Sequence, residues 1–206
     1  DKADEISNTG RPGPVWIDYP INFQWPDINI KSKKKDKKNL QKNDLKINQV
    51  CKMLKESNNP LFVFGNGIRL SGGLDILKKV VNKSNIPFVT TWSTCDFFPT
   101  DYNLNLGIIG LYGQRGANKA INNADLLICI GTHLNVTHTS TRLDEFSKES
   151  KKIIINIDKE EIKNSSVQFD LKVNTDAKFF LENFQKKVIP LSKKNYFKFK
   201  SLNWYK

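Results

Sequence analysis

Four short, nearly unbroken apolar runs mark this chain: Leu61–Phe64, Ile86–Val89, Leu126–Ile130 and Ile153–Ile155. Each is bounded on at least one side by Gly, Pro, Asn or Asp. Such runs suit strands covered on both faces, as in a parallel sheet. They predict strands at 60–64, 86–90, 125–130 and 152–156. Shorter strands are expected at Val15–Asp18 and around Leu171–Val173. Between them the apolar spacing turns helical. Leu45, Val50, Met53 and Leu54 predict a helix from Asn43 or Asp44 to about Ser57. Leu74, Leu77, Val80 and Val81 predict another over 71–85, and further helices are expected over 116–123, near Glu160 and over 176–187. Residues 91–115 read as loop. Alternating strands and helices imply right-handed crossovers. The expected fold is α/β, a three-layer Rossmann-like arrangement with a parallel sheet of about six strands and helices on both faces.

At 206 residues the chain fits one ordinary domain with appended segments. Its net charge of +12 raises the question of nucleic acid. Arginine, however, stands only at positions 11, 69, 115 and 142, and the remaining 29 of 33 basic residues are lysine. Base and phosphate readers rely on arginine's planar fork. The densest basic run, Lys31 to Lys38, has no interleaved aromatic and reads as a solvated linker. No nucleic-acid partner is expected. Cys51, Cys95 and Cys129 are widely spaced and form no CxxC pair, which argues against disulfides and structural zinc. His133 and His138 have no cysteine or carboxylate at metal spacing, so no metal site is expected. No apolar stretch is long enough to span a membrane, and no signal-peptide pattern opens the chain. A reducing cytoplasm is the expected compartment.

The most informative stretch runs from Gly107 to Asp158. A glycine-rich loop, Gly110-Leu111-Tyr112-Gly113-Gln114-Arg115-Gly116, opens a short helix, and the following strand ends at Gly131. A further strand delivers Asp158 at its end. An open parallel sheet makes a nucleotide-sized crevice in this way. Together with Gly10-Arg11-Pro12-Gly13-Pro14-Val15, Gly65-Asn66-Gly67, Pro87-Phe88-Val89-Thr90-Thr91-Trp92, Asn156-Ile157-Asp158 ending in Ile162, and Thr175-Asp176-Ala177-Lys178, this stretch resembles the central domain of thiamine-diphosphate-dependent enzymes of the acetolactate synthase group.

The resemblance implies a domain plan. Residues 1–30 would be the tail of a preceding pyrimidine-binding domain, 31–43 a lysine-rich linker and 44–190 the central Rossmann-like domain. Residues 191–206 would lead to a domain holding the cofactor diphosphate. It implies a parent enzyme that decarboxylates or joins 2-oxo acids with thiamine diphosphate and Mg2+, as a homodimer or homotetramer, the cofactor lying outside this segment. The Gly-Asp-Gly motif that holds magnesium in the family is absent here, so no catalytic residue is expected. Some family members bind FAD, ADP or another nucleotide in the central domain. By position, Gly65, Asn66 and Gly67 would let backbone approach a nucleotide. Gly113 and Gly116 would offer N–H groups to phosphate, Arg115 a charged donor, and Asp158 an acceptor for ribose or adenine. Thr91, Gly131, Thr132, His133 and Asp176 fall along the same crevice. Flavin-binding relatives carry arginines where this chain has His133 and Thr137, which removes two cationic partners for FAD.

Plainer roles compete. Gly65 and Gly67 suit any strand-to-helix turn. Arg115 suits an ion pair, and Asp158 suits a helix cap. Two other function classes stand beside the central-domain reading. One is a stand-alone nucleotide enzyme on the same fold, such as a sirtuin-like NAD-dependent deacylase. The other is a basic interaction module using the 31–38 run and Tyr196–Lys200.

Overall fold

The computed structural model describes residues 2–23 and 44–190. The chain divides into two compact units, Asp1–Gln41 and Lys42–Lys206. The lysine run at 31–38 and the segment 191–206 lie outside the described residues.

The described residues of the first unit form helix α1 (Lys2–Asn8) and a 3-10 turn, Ile21–Phe23. Gly13 N donates to Ser7 O at 3.2 Å, folding the chain back on the helix end. The strand expected at Val15–Asp18 does not form; residues 12–20 have no regular structure. A strand takes its hydrogen bonds from a neighbour, and this unit has none among its described residues. Trp16 is left 93% exposed.

The second unit runs α2 (Asp44–Glu56), β1 (Pro60–Phe64), α3 (Gly67–Leu70), α4 (Leu74–Ser84), β2 (Phe88–Thr90), β3 (Asn105–Ile108) and α5 (Arg115–Asn123). It continues with β4 (Leu126–Ile130), α6 (Val136–Thr139), β5 (Lys151–Asn156), α7 (Lys159–Asn164), β6 (Leu171–Asn174) and α8 (Ala177–Lys187). All six strands are parallel, in the order β3-β2-β1-β4-β5-β6. The chain moves outward from β1 to β3, then returns to place β4 on the other side of β1. That reversal makes the β1/β4 boundary the topological switch point.

The three-layer α/β expectation holds, with one strand replaced. The sixth strand is β3, inside the stretch read as loop. It is an edge strand in which only Leu106 is buried, and Gly107 adopts φ +103 where the pairing with β2 shifts register. A half-covered, interrupted edge lacks the apolar run that marks the central strands. The helix expected over 71–85 forms as α4, starting three residues later, and an unexpected single turn, α3, precedes it. Gly72, at φ +68, and Gly73 separate the single turn of α3 from α4.

Strand residues alternate between two cores. Phe62, Phe64, Ile128, Ile130, Ile153 and Ile155 face α2, α4 and α8. Leu61, Val63, Leu127, Cys129 and Ile154 face α5, α7 and the segment after α6. On the first side, Phe184 of α8 meets Phe62 edge-on at 6.2 Å and stacks on Phe180 at 5.4 Å. Fully burying side chains of this size is worth about 1.5–3 kcal/mol each. The cores therefore hold the strand ends, and the loops leaving them, in fixed positions.

Candidate functional site

With every strand parallel, all C-terminal ends emerge at one edge, and the residues singled out in the sequence lie along it. Strands about 4.8 Å apart put the ends of β3 and β6 about 24 Å from each other. Arg115 and Asp176, at opposite ends, therefore cannot grip one small group together. The edge has a centre and two wings.

At the centre, the loop after β1 is pressed against the loop after β4. Gly65 N donates to Ile130 O at 3.0 Å, and Gly67 N to Gly131 O at 2.8 Å. A Cβ at Gly65 would overlap Gly131 O and Thr132 Cα and lie 2.5 Å from Thr132 Cβ. A Cβ at Gly67 would come within 2.8 Å of Gly131 Cα. Gly131 itself adopts φ +61. Contact between these two loops accounts for all three glycines.

Two polar side chains flank that contact. Asn66 Oδ1 and Thr132 Oγ1 are buried with no hydrogen-bond partner among the described residues, and Thr132 as a whole is 3% exposed. A buried unsatisfied polar atom costs about 1–3 kcal/mol. Two of them beside a switch point, where open α/β sheets take their ligands, fit a polar ligand group.

The wing over β2 and β3 is pinned by local hydrogen bonds. Thr91 N and Thr94 Oγ1 both donate to Phe64 O at 3.0 Å, and Thr91 caps the 3-10 turn Trp92–Thr94. Arg69 donates to both carboxylate oxygens of Asp96, at 2.5 and 2.6 Å, and lies 5.0 Å over the Phe97 ring. The guanidinium holds the Asp96 carboxyl below the usual carboxylate range. In the glycine-rich loop, the Asn118 amide accepts from Gly110 N and donates to Gly110 O, each at 2.9 Å. Gly113 N and Gln114 N are spent on Gly110 O and Ile108 O. That loop therefore offers a phosphate fewer N–H groups than the glycine pattern suggests. Arg115 and Gly116 open α5, whose first turn has no side-chain cap. Arg115 is exposed and has no ion pair among the described residues. Trp92 and Tyr112, both exposed, bring their rings to 5.7 Å at this wing.

The wing over β5 and β6 is tied up differently. Asp158 caps α7, its Oδ1 accepting from Glu160 N at 3.0 Å and Glu161 N at 3.1 Å. Asp176 caps α8 through Phe179 N at 3.0 Å. His133 Nδ1 lies 2.5 Å from Glu161 Oε1, a carboxylate 28 residues away in sequence. Thr137 Oγ1 donates to Asn135 Oδ1 at 2.6 Å. The two positions where arginines would serve a flavin are thus engaged with their own loop and α7. Asn156, Glu161 and Asn118 also shape the edge, and sequence reasoning missed them. Asn156 and Glu161 stood inside the Asn156–Ile162 motif and Asn118 just past the glycine-rich loop, yet no spacing links Glu161 to His133.

Beside the edge lies an open cleft of about 340 Å³ between α5 and residues 138–146. None of the residues singled out in the sequence as cofactor contacts lines it. His138 lies on its wall, and burial lowers its pKa below the usual 6.5 despite a 2.9 Å hydrogen bond with the His133 carbonyl. Among the described residues no group of three or more His, Cys, Asp or Glu side chains converges to hold a metal ion. No helix there is long and apolar enough to cross a membrane.

Comparison with known proteins agrees with this geometry. Residues 47–184 match the family model for the thiamine pyrophosphate enzyme central domain. The chain is 34% identical over 201 residues to a probable acetolactate synthase large subunit of Methanocaldococcus jannaschii, covering 94% of this chain and 34% of that protein. It is 31% identical over 199 residues to the counterpart in Methanococcus aeolicus, covering 90% and 32%. It is 34% identical over 164 residues to an acetolactate synthase large subunit of Pyropia yezoensis, covering 76% and 28%. The chain thus spans about a third of the length of the curated relatives it matches, or somewhat less. The sirtuin-like alternative finds no support in these matches. By fold, by the order of its motifs and by the family model over 47–184, the chain belongs to the family of thiamine pyrophosphate enzyme central domains.

Proposed function

We propose that this chain is the non-catalytic central domain of an acetolactate-synthase-like enzyme, and that its β1/β4 edge accommodates a nucleotide. The parent enzyme decarboxylates and joins small 2-oxo acids as a homodimer or homotetramer. Thiamine diphosphate, bound with Mg2+ by the other domains of that enzyme, supplies the carbanion chemistry. This chain's residues contribute architecture. In sequence they link the pyrimidine-binding domain, to which residues 1–30 belong, to the diphosphate-binding domain that residues 191–206 lead toward.

The observation that carries the nucleotide reading is the pair of unsatisfied buried atoms, Asn66 Oδ1 and Thr132 Oγ1, at the switch point. A ribose hydroxyl or an exocyclic amine supplies the kind of donor that Asn66 Oδ1 and Thr132 Oγ1 lack. The uncapped start of α5 and the exposed Arg115 suit a diphosphate lying toward β3. ADP fits this set better than FAD, because His133 and Thr137 are held by Glu161 and Asn135. The test is calorimetric titration of the chain with ADP, FAD, coenzyme A and NAD at physiological salt. Saturable ADP binding, weakened about tenfold in Thr132→Val, is expected. ADP binding untouched by Thr132→Val, or no nucleotide binding at all, would remove the nucleotide role and leave the architectural one.

A further inference from the structure

The two faces of the sheet are charged differently. Helices α2, α4 and α8, which cover one face, carry nine lysines against the four acids Asp44, Glu56, Asp75 and Glu182. On the other face, α5, α7 and residues 140–149 carry six basic residues against five acidic ones. The chain's overall richness in lysine would load both faces alike. Only one is loaded.

Two of the nine lysines join the helices into one platform, and a third ties α2 to β6. Lys83 of α4 donates to Gln185 O of α8 at 2.5 Å, and Lys187 of α8 to Asn48 Oδ1 of α2 at 2.8 Å. Lys46 of α2 reaches Lys172 O at 2.6 Å. The other six, Lys52, Lys55, Lys78, Lys79, Lys178 and Lys186, are exposed and have no ion pair among the described residues. Neighbouring helices pack about 8–10 Å apart, which sets ammonium groups on adjacent helices within roughly one Debye length of each other. Their fields therefore add over the face.

The chemistry of the face selects the partner. It has no arginine to fork a phosphate and no exposed aromatic ring to stack a base. None of the exposed large apolar residues lies on these three helices, so nothing there would insert into a bilayer. Hydrated point charges spread over a flat helical layer match carboxylates spread over another protein. We infer that the α2/α4/α8 face is a docking surface for a protein partner rich in Asp and Glu, attracted by Coulomb forces.

The test uses the 206-residue chain and labelled poly-L-glutamate, with poly-U RNA and phosphatidylserine vesicles as competing probes. One variant, K52Q/K78Q/K79Q/K186Q, discharges the face. A second, K119Q/K148Q/K159Q/K163Q, removes the same charge from the opposite side. Seven of the eight lysines are exposed and Lys119 is half-buried, and thermal melts of both variants establish that the fold is kept. Polyglutamate should bind more tightly than RNA or vesicles, and about tenfold more weakly at about 200 mM than at about 50 mM salt. The face variant should lose about tenfold in affinity, and the control less than about twofold. Equal losses in both variants, tighter binding to RNA or vesicles, or no polyglutamate binding at low salt would each overturn the assignment.

Discussion

Gly65→Ala separates two accounts of the glycines at the edge. The added methyl would overlap Gly131 O and Thr132 Cα, both backbone atoms, and sit 2.5 Å from Thr132 Cβ. Normal contact requires the β4 loop to retreat by about 1 Å. Overpacking of this kind costs about 1–3 kcal/mol. The retreat also stretches the bonds from Gly65 N to Ile130 O and from Gly67 N to Gly131 O, each worth about 0.5–1.5 kcal/mol. The sum is about 4 kcal/mol, which for a domain of this size lowers Tm by about 8–16 °C. Gly72→Ala is the comparison. Gly72 has φ +68 but no atom within 4 Å of where a methyl would stand, so only backbone strain of about 1–2 kcal/mol applies. Thermal and urea unfolding followed by circular dichroism measure both. The packing account predicts that Gly65→Ala is the more damaging by at least about 2 kcal/mol. A Gly65→Ala protein no less stable than Gly72→Ala would refute it, and would return Gly65 to the role of admitting a ligand.

Other consequences are accessible to the same preparations. Asp125→Ala removes the acceptor for Ser57 Oγ, Asn58 N and Asn59 N, which ties the α2–β1 turn to the start of β4, and should cost about 2–3 kcal/mol in urea unfolding. Because burial depresses the His138 pKa, the unfolded chain takes up its proton first as pH falls. The His138 contribution to stability is therefore intact above about pH 6.5 and lost as pH drops through the lower folded value. His138→Gln, which keeps a donor for the His133 carbonyl, should flatten that part of the pH–stability curve. Burial pushes the Cys129 thiol up to about 12, while Cys95 is exposed. A thiol reagent at about pH 7–8 should label Cys95 in the native protein and Cys129 only on unfolding, as peptide mass spectrometry would read.

Much of the fold was legible because the central strands are covered on both faces. Leu61–Phe64 and Leu126–Ile130 have no polar position to blur the signal, and Pro60 and Gly131 mark their limits. The edge strand β3 was not legible. One of its sides is open, so Asn105 and Gly107 are tolerated and the apolar run disappears. Val15–Asp18 erred the other way. Its residues favour a strand, but pairing is a property of two segments, and the described part of its unit offers no second.

At the edge, sequence order placed the loops but not their internal hydrogen bonds. Asp158 and Asp176 stand where a ribose acceptor would, yet each caps the helix that follows it. The capping alternative was visible at Asp158 because Glu160 and Glu161 follow at first-turn spacing. The His133–Glu161 contact was not visible, since only the β4–β5–α7 arrangement brings position 133 to position 161. Nor do residue types alone disclose that the Asn66 and Thr132 oxygens would be buried without partners.

The most direct test of a nucleotide at the β1/β4 edge is hydrogen–deuterium exchange of the chain with and without ADP. The account predicts slower exchange in peptides spanning residues 64–68 and 131–134, with little change over α2 and α8. Protection spread evenly over the domain, or confined to residues 138–146 beside the neighbouring cleft, would contradict it.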